Sequence, residues 1–224
     1  MPPIVAIDGP AGAGKSTVAR QLARRLGFAM IDTGAIYRSV ALAAQRAGVD
    51  WEDDEALGKL LDQGLGLSFF DTDGVALRGE DVTAAIRAPE ISRGASVVSA
   101  RPIVREKLLG LQRDLGRGAA RGAVLEGRDI GTVVFPDAQV KFFLTASAEA
   151  RALRRHAELR EKGLSVGLGE VLSEQKIRDK ADREREIAPL KPAEDAILVD
   201  TTGLDLGEVV DRCEKLAAGR LSRP

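Results

Sequence analysis

Short unbroken apolar runs alternate along this chain with longer stretches whose apolar residues return every three or four positions. The first run, Ile4–Asp8, ends on an acid. From Lys15 to Leu26, Val18, Leu22 and Leu26 fall on one helical face, and Gly27 is placed to stop that helix. Phe28–Ile31 reads as a second short strand, followed by a helix through Tyr37 and Leu42 that ends near Gly48. Ala123–Leu125, Val140–Leu144 and Ala196–Val199 predict three further core strands. Strands alternating with amphipathic helices predict an α/β fold of three layers, a central parallel sheet with helices on both faces. Each run ends where glycine or polar residues begin, so functional loops are expected at the carboxyl ends of the strands.

Two stretches break the alternation. Leu67–Phe70 and Val75–Leu77 flank a turn signal at Asp73-Gly74, and Glu80–Thr83 offers a third strand, which predicts a small antiparallel sheet. Residues 151–185 are helical in pattern, densely charged and interrupted at Gly163–Gly169, which suits a lid closing over phosphate. The expected organisation is one domain. Its core is 1–62, 103–150 and 186–224, with an inserted subdomain at 63–102 and a lid at 151–185.

Between the first strand and the first helix lies Gly9-Pro10-Ala11-Gly12-Ala13-Gly14-Lys15-Ser16, with Thr17 behind it. This is the G-x-x-x-x-G-K-[ST] phosphate loop in its strand–loop–helix setting. Glycines there allow positive φ, so successive N–H groups can turn inward around phosphate oxygens. The helix start adds unpaired N–H groups and the positive end of its dipole. In this reading Lys15 reaches the terminal phosphates and the Ser16 hydroxyl binds Mg²⁺.

Composition narrows the function. The formal net charge of −1 gives no electrostatic footprint for a polymeric nucleic acid. The single cysteine, Cys213, rules out an intrachain disulfide and sits in a structural place in the last helical pattern. No apolar run suits a membrane span, and the first residues lack the pattern of a signal peptide, so a cytoplasmic monomer is expected. Among 33 basic residues 24 are Arg. A GC-rich genome would enrich Arg without a functional cause, but Arg also grips phosphate with a planar fork. The sole histidine, His156, reads as a surface residue of the lid.

Asp32–Arg38, Glu126–Ala138 and Asp179–Arg185 carry a resemblance to bacterial cytidylate kinase that extends over essentially the whole length. The run Gly127–Ala138 is specific to that family, whereas the phosphate loop would fit many functions. The resemblance implies transfer of the γ-phosphoryl of ATP to CMP or dCMP, with Mg²⁺, by a P-loop fold with an inserted monophosphate-binding subdomain and a helical lid. It assigns Arg38 and Arg128 to the acceptor phosphate, a site that Thr33 and Tyr37 shape. Ser96, Arg105 and Asp129 are assigned to the cytosine edge, and Asp182 and Arg185 to the pentose hydroxyls. Lid residues Arg154, Arg155, Arg178 and Arg183 would close on the transferring group beside Lys15. Plainer readings stand next to these: Arg105 as a helix cap, Ser96 as a turn residue, Asp182 and Arg185 as an i,i+3 surface pair. Two departures from the family pattern are Glu126, where relatives often have Asp, and Ala11, where Ser also occurs. Uridylate, thymidylate and shikimate kinases are the nearest rivals. A GTP-dependent switch is disfavoured, because its Asn-Lys-x-Asp motif needs an asparagine and this chain has none.

Overall fold

The computed structural model describes residues 2–70, 74–161 and 163–222. In chain order the first elements are β1 (Ile4–Asp8), α1 (Lys15–Leu26), β2 (Ala29–Asp32), α2 (Thr33–Arg46) and α3 (Asp54–Asp62). Next come β3 (Leu67–Phe70), β4 (Gly74–Leu77), β5 (Glu80–Asp81), α4 (Pro89–Ala100) and α5 (Pro102–Arg117). The last are β6 (Ala123–Gly127), β7 (Val140–Thr145), α6 (Ala148–Glu161), α7 (Leu168–Glu184), β8 (Ile197–Asp200) and α8 (Leu206–Leu221).

The chain divides into two compact units, Met1–Ile31 with Gly116–Pro224, and Asp32–Leu115. The first is built on a sheet of order β2-β6-β1-β7-β8 flanked by helices. β1 runs parallel to β6, from Ile4 opposite Ala123 to Asp8 opposite Gly127, and parallel to β7, ending with Asp8 opposite Phe143. β8 pairs parallel with β7. Strands covered on both faces are largely apolar, and all of β1 and β6 is buried, with Asp8 and Glu126 as the acids at their carboxyl ends. Val5, Ile7, Leu22, Phe142, Val199 and Val210 form the core of this unit. Cys213 lies on α8 in that core, where burial pushes its thiol up to about 11 and leaves it inert. Order within the sheet brings the ends of β1 and β6 side by side, so the segments that follow them are neighbours.

The second unit packs α2 against α4 beside a small antiparallel sheet of order β3-β4-β5. Ile36, Val40, Leu57, Ile86, Ile91 and Val98 fill its core. Leu67 faces Leu77 and Phe70 faces Gly74, so the expected hairpin forms, but Gly74 stands in β4 opposite Phe70 rather than in the turn; Asp71–Asp73 lie outside the described residues. The third strand is shorter than expected. It stops at Asp81 because Thr83 turns back, its Oγ1 accepting from the Val75 N–H at 3.0 Å. The unit holding this sheet begins at Asp32 and also takes in α2 to α5. In the region expected to form the lid, α6 and α7 flank the glycine-containing interruption, with Leu159 and Val171 packed together between them. His156 is half-buried on α6 rather than a plain surface residue.

Candidate active site

In the first unit β1 ends at Asp8 and the chain turns sharply through the phosphate loop into α1. Gly9 has φ 149°, and a Cβ there would lie 2.0 Å from the Leu144 carbonyl oxygen. No other residue fits against β7. Gly14 precedes α1 in the left-handed region at φ 88°, and no side chain caps that helix start. Its first N–H groups therefore have no capping side chain, which is what an incoming anion requires.

Lys15 is 6% exposed, and its Nζ donates to the Pro10 carbonyl at 2.9 Å. Burial, and next the charge of Arg128, pull this ammonium down to about 7, against the attraction of Glu126. Beside it the Ser16 hydroxyl donates to Glu126, itself buried at the end of β6. Glu126 thus reaches the hydroxyl expected at a cation, despite the departure from Asp. A hydroxyl and a carboxylate are hard oxygen donors of the kind Mg²⁺ accepts. No cluster of three or more metal-ligating acids, His or Cys occurs among the described residues. An ion here would complete its shell from phosphate and water.

β6 leads into the second cluster. Arg128 Nε donates to Asp182 at 2.8 Å, and Arg185 lies 3.6 Å from Asp129 and 4.0 Å from Asp182. Burial opposes charge on Asp182, yet Arg128, and then Arg178 and Arg185, hold its carboxyl below the usual range. Asp182 and Arg185 thus form more than a surface pair, since their side chains are 11% and 7% exposed. Ala188 supports this arrangement. Its backbone takes φ 51°, unusual for a residue with a Cβ, and its carbonyl accepts from Arg185 Nε at 2.6 Å.

The arginines of α6 and α7 separate by their partners. Arg178 belongs to the Lys15–Asp182 electrostatic cluster. Arg154 donates to the Thr201 hydroxyl and carbonyl at 2.9 and 2.6 Å, and Thr201 in turn donates to the Ala13 carbonyl at 3.3 Å. Arg155 pairs with Glu158 at 2.8 Å. Arg183 is exposed and lines a cavity of about 370 Å³ with Lys176, Lys180 and Glu184. Sequence reasoning passed over Arg151, which is 4% exposed and joins Asp179 at 2.6 Å to the Ala11 carbonyl at 2.9 Å. The residues of that ion pair are 28 positions apart, so no local pattern could announce it.

The second unit holds the remaining expected residues. Asp32 caps α2 by accepting from the Ala35 N–H at 2.9 Å, and its other oxygen pairs with Arg38 at 2.7 Å. Arg38 stands on the first turns of α2, the helix that follows β2. Thr33 and Tyr37 are buried on the same helix. The Arg105 guanidinium lies 5.5 Å from the centre of the Tyr37 ring and donates to the Ser99 carbonyl at 3.0 Å, near the end of α4. It is a cap and an aromatic partner at once. Ser96 is half-buried within α4, its hydroxyl donating to the Ser92 carbonyl at 3.3 Å, so it is helical and not a turn residue.

Comparison with known proteins agrees with this geometry. The cytidylate kinase family model matches residues 5–218. A cytidylate kinase of Syntrophotalea carbinolica is 52% identical over 220 residues, 97% of this chain and 92% of the relative. One from Geobacter sulfurreducens is 53% identical over 220 residues, 97% of this chain and 93% of the relative. Among solved structures, an uncharacterised protein from Eubacterium ventriosum superposes with a TM-score of 0.54 at 13% identity, covering 97% of this chain and 99% of that one, a likeness of fold alone. With a phosphate loop, a buried lysine and the Gly127–Ala138 segment all in place, the chain belongs to the cytidylate kinase family.

Proposed function

We propose that this protein transfers the γ-phosphoryl of ATP to CMP or dCMP, giving ADP and the corresponding diphosphate. The observation that carries the reading is the sequence of groups at the ends of β1 and β6. An uncapped helix start with Lys15 and Ser16 suits the donor, and Arg128 beside Asp129, Asp182 and Arg185 suits an acceptor nucleotide. Both substrates are polyanions, so most of the catalysis is positioning and neutralisation of charge. Lys15 donates to the terminal phosphates in exchange for the Pro10 carbonyl. Ser16, with Glu126 behind it, would hold Mg²⁺, which would supply charge neutralisation to the donor phosphates. Arg128 gives up part of its contact with Asp182 to the acceptor phosphate. The acceptor oxygen needs no general base, because the second pKa of a phosphate monoester is about 6.

Asp129 accepts from the 4-amino group of cytosine, whereas the 4-oxo group of uracil would meet it lone pair to lone pair. Asp182 and Arg185 face the pentose. Thr33, Tyr37, Arg38, Ser96 and Arg105 serve the acceptor in this reading, which for them rests on family resemblance together with the charge of Arg38 and Arg105. The test is a panel of CMP, dCMP, UMP and dTMP with ATP, following ADP formation. CMP and dCMP should be far better acceptors; faster turnover of UMP would overturn the reading.

A further inference from the structure

Asp129 occupies the position before a wide helical turn, Ile130–Val134, in which Val134 and Phe135 donate to carbonyls five residues back at 3.2 and 2.7 Å. An aspartate there would ordinarily fold over and accept from the first N–H groups of the turn. Asp129 does not cap the turn. The N–H groups of Ile130 and Gly131 are instead taken by Asp8, one by each carboxylate oxygen, both at 2.8 Å. Asp8 is the last residue of β1 and is 4% exposed. Its reach is possible because β1 and β6 are paired, with Asp8 opposite Gly127. Gly131 allows the approach, since a Cβ there would come within 3.5 Å of Asp8 and 3.1 Å of the Lys141 side chain.

We propose that Asp8 is a specificity-positioning residue: by capping the turn in place of Asp129, it keeps the Asp129 carboxylate turned toward Arg185 and the acceptor base. This rests on the assignment of Asp129 to cytosine. Without Asp8 the orphaned N–H groups of Ile130 and Gly131 would draw Asp129 down onto its own turn, and discrimination between bases would fall. The same carboxylate stands one residue before Gly9, so the strand that ends in the donor loop also sets the acceptor-reading side chain.

Burial pushes the Asp8 carboxyl up to about 6, against the two amide bonds that favour its charge; Asp129 repels it and Lys15 attracts it. Lys141 of β7 also runs beside this turn, but its ammonium is held by the Pro136 carbonyl at 2.5 Å and Asp195 at 2.9 Å. Protonated Asp8 accepts less well, so selectivity should decline on the acid side.

The experiment compares CMP with UMP as acceptors in Asp8→Asn, in Asp129→Asn and in the parent enzyme. An asparagine at position 8 retains one acceptor and turns an amide toward the other N–H. The CMP-to-UMP ratio of kcat/KM should fall at least about tenfold in Asp8→Asn, with KM for ATP within about twofold of the parent. An unchanged ratio in Asp8→Asn beside a collapsed ratio in Asp129→Asn overturns the role of Asp8 alone. Unchanged ratios in both variants overturn the cytosine assignment of Asp129 and this role with it. If Asp8→Asn does not fold, the parent decides, with its CMP-to-UMP ratio measured across pH 5.5–7.5 while the Asp8 carboxyl is followed by its ¹³C resonance. Both acceptors carry the same phosphate, so its own titration cancels in the ratio. A ratio that falls together with Asp8 protonation supports the proposal, and a flat ratio overturns it.

Discussion

Two neighbouring turns of the same sheet treat their backbone N–H groups in opposite ways. The turn after β1 enters α1 through Gly14 with no capping side chain, whereas the turn after β6 begins with Asp8 already on its first two N–H groups. Geometry alone would make both helical starts attractive to anions. The difference is occupancy by a carboxylate. In the proposed reading one start is left open for phosphate oxygens, and the other is closed so that the side chains before it, Arg128 and Asp129, do the recognition. What would make an anion site of the first start is that no side chain caps it.

The most severe way to break the comparison is at the open turn. Lys15→Ala removes the buried ammonium of that loop and should lower kcat by about 10³-fold or more, by analogy with loss of a preorganised charge donor. A smaller loss in steady-state turnover would show that the lid arginines carry the donor charge instead.

At the closed turn, Arg128→Ala should reduce turnover by about 10²-fold while KM for ATP changes little. Weakened ATP binding would move Arg128 to the donor side. Asp129→Asn should lower the CMP-to-UMP ratio by a comparable or smaller factor, about 10–10²-fold, because one amide replaces one acceptor edge. Equal losses with both acceptors would detach Asp129 from the base.

The mildest probe is pH. Lys15, drawn down to about 7 by burial and by Arg128, is half-charged near neutrality in the free protein. Polyphosphate needs the ammonium, so ATP affinity should weaken as pH rises above 7, by at most about tenfold per unit, and binding near pH 7.5 should take up protons. Calorimetry in two buffers of different ionisation enthalpy reads that uptake. Affinity that stays level from pH 7 to 9 would mean Lys15 is fully charged before ATP arrives.

Much of this was legible beforehand. The strand Ile4–Asp8, the helix Lys15–Leu26 with Gly27 as its stop, and the pairing of two short antiparallel strands around positions 67–77 follow from local period and turn residues, although Gly74 belongs to the strand and not to the turn. Those signals act within a few positions, and nothing distant overrides them. Less local features escaped. Thr83 was read as part of a strand, and only its bond to Val75 shows why the strand ends earlier. The bond of Arg154 to Thr201 spans 47 positions and is likewise beyond any local pattern.

By itself the sequence determined the phosphate loop, the alternation of strands and helices, and the family through Gly127–Ala138, because each is written in consecutive residues. Tertiary structure decided which carboxylate serves which amide. Asp8 and Ile130 are 122 positions apart, and they meet only because β1 and β6 pair in parallel register. The 28-residue span from Arg151 to Asp179 is closed instead by packing of α6 on α7. A buried charge has to find its partner wherever the fold brings one within reach, and that reach is set by strand order and helix packing rather than by spacing along the chain.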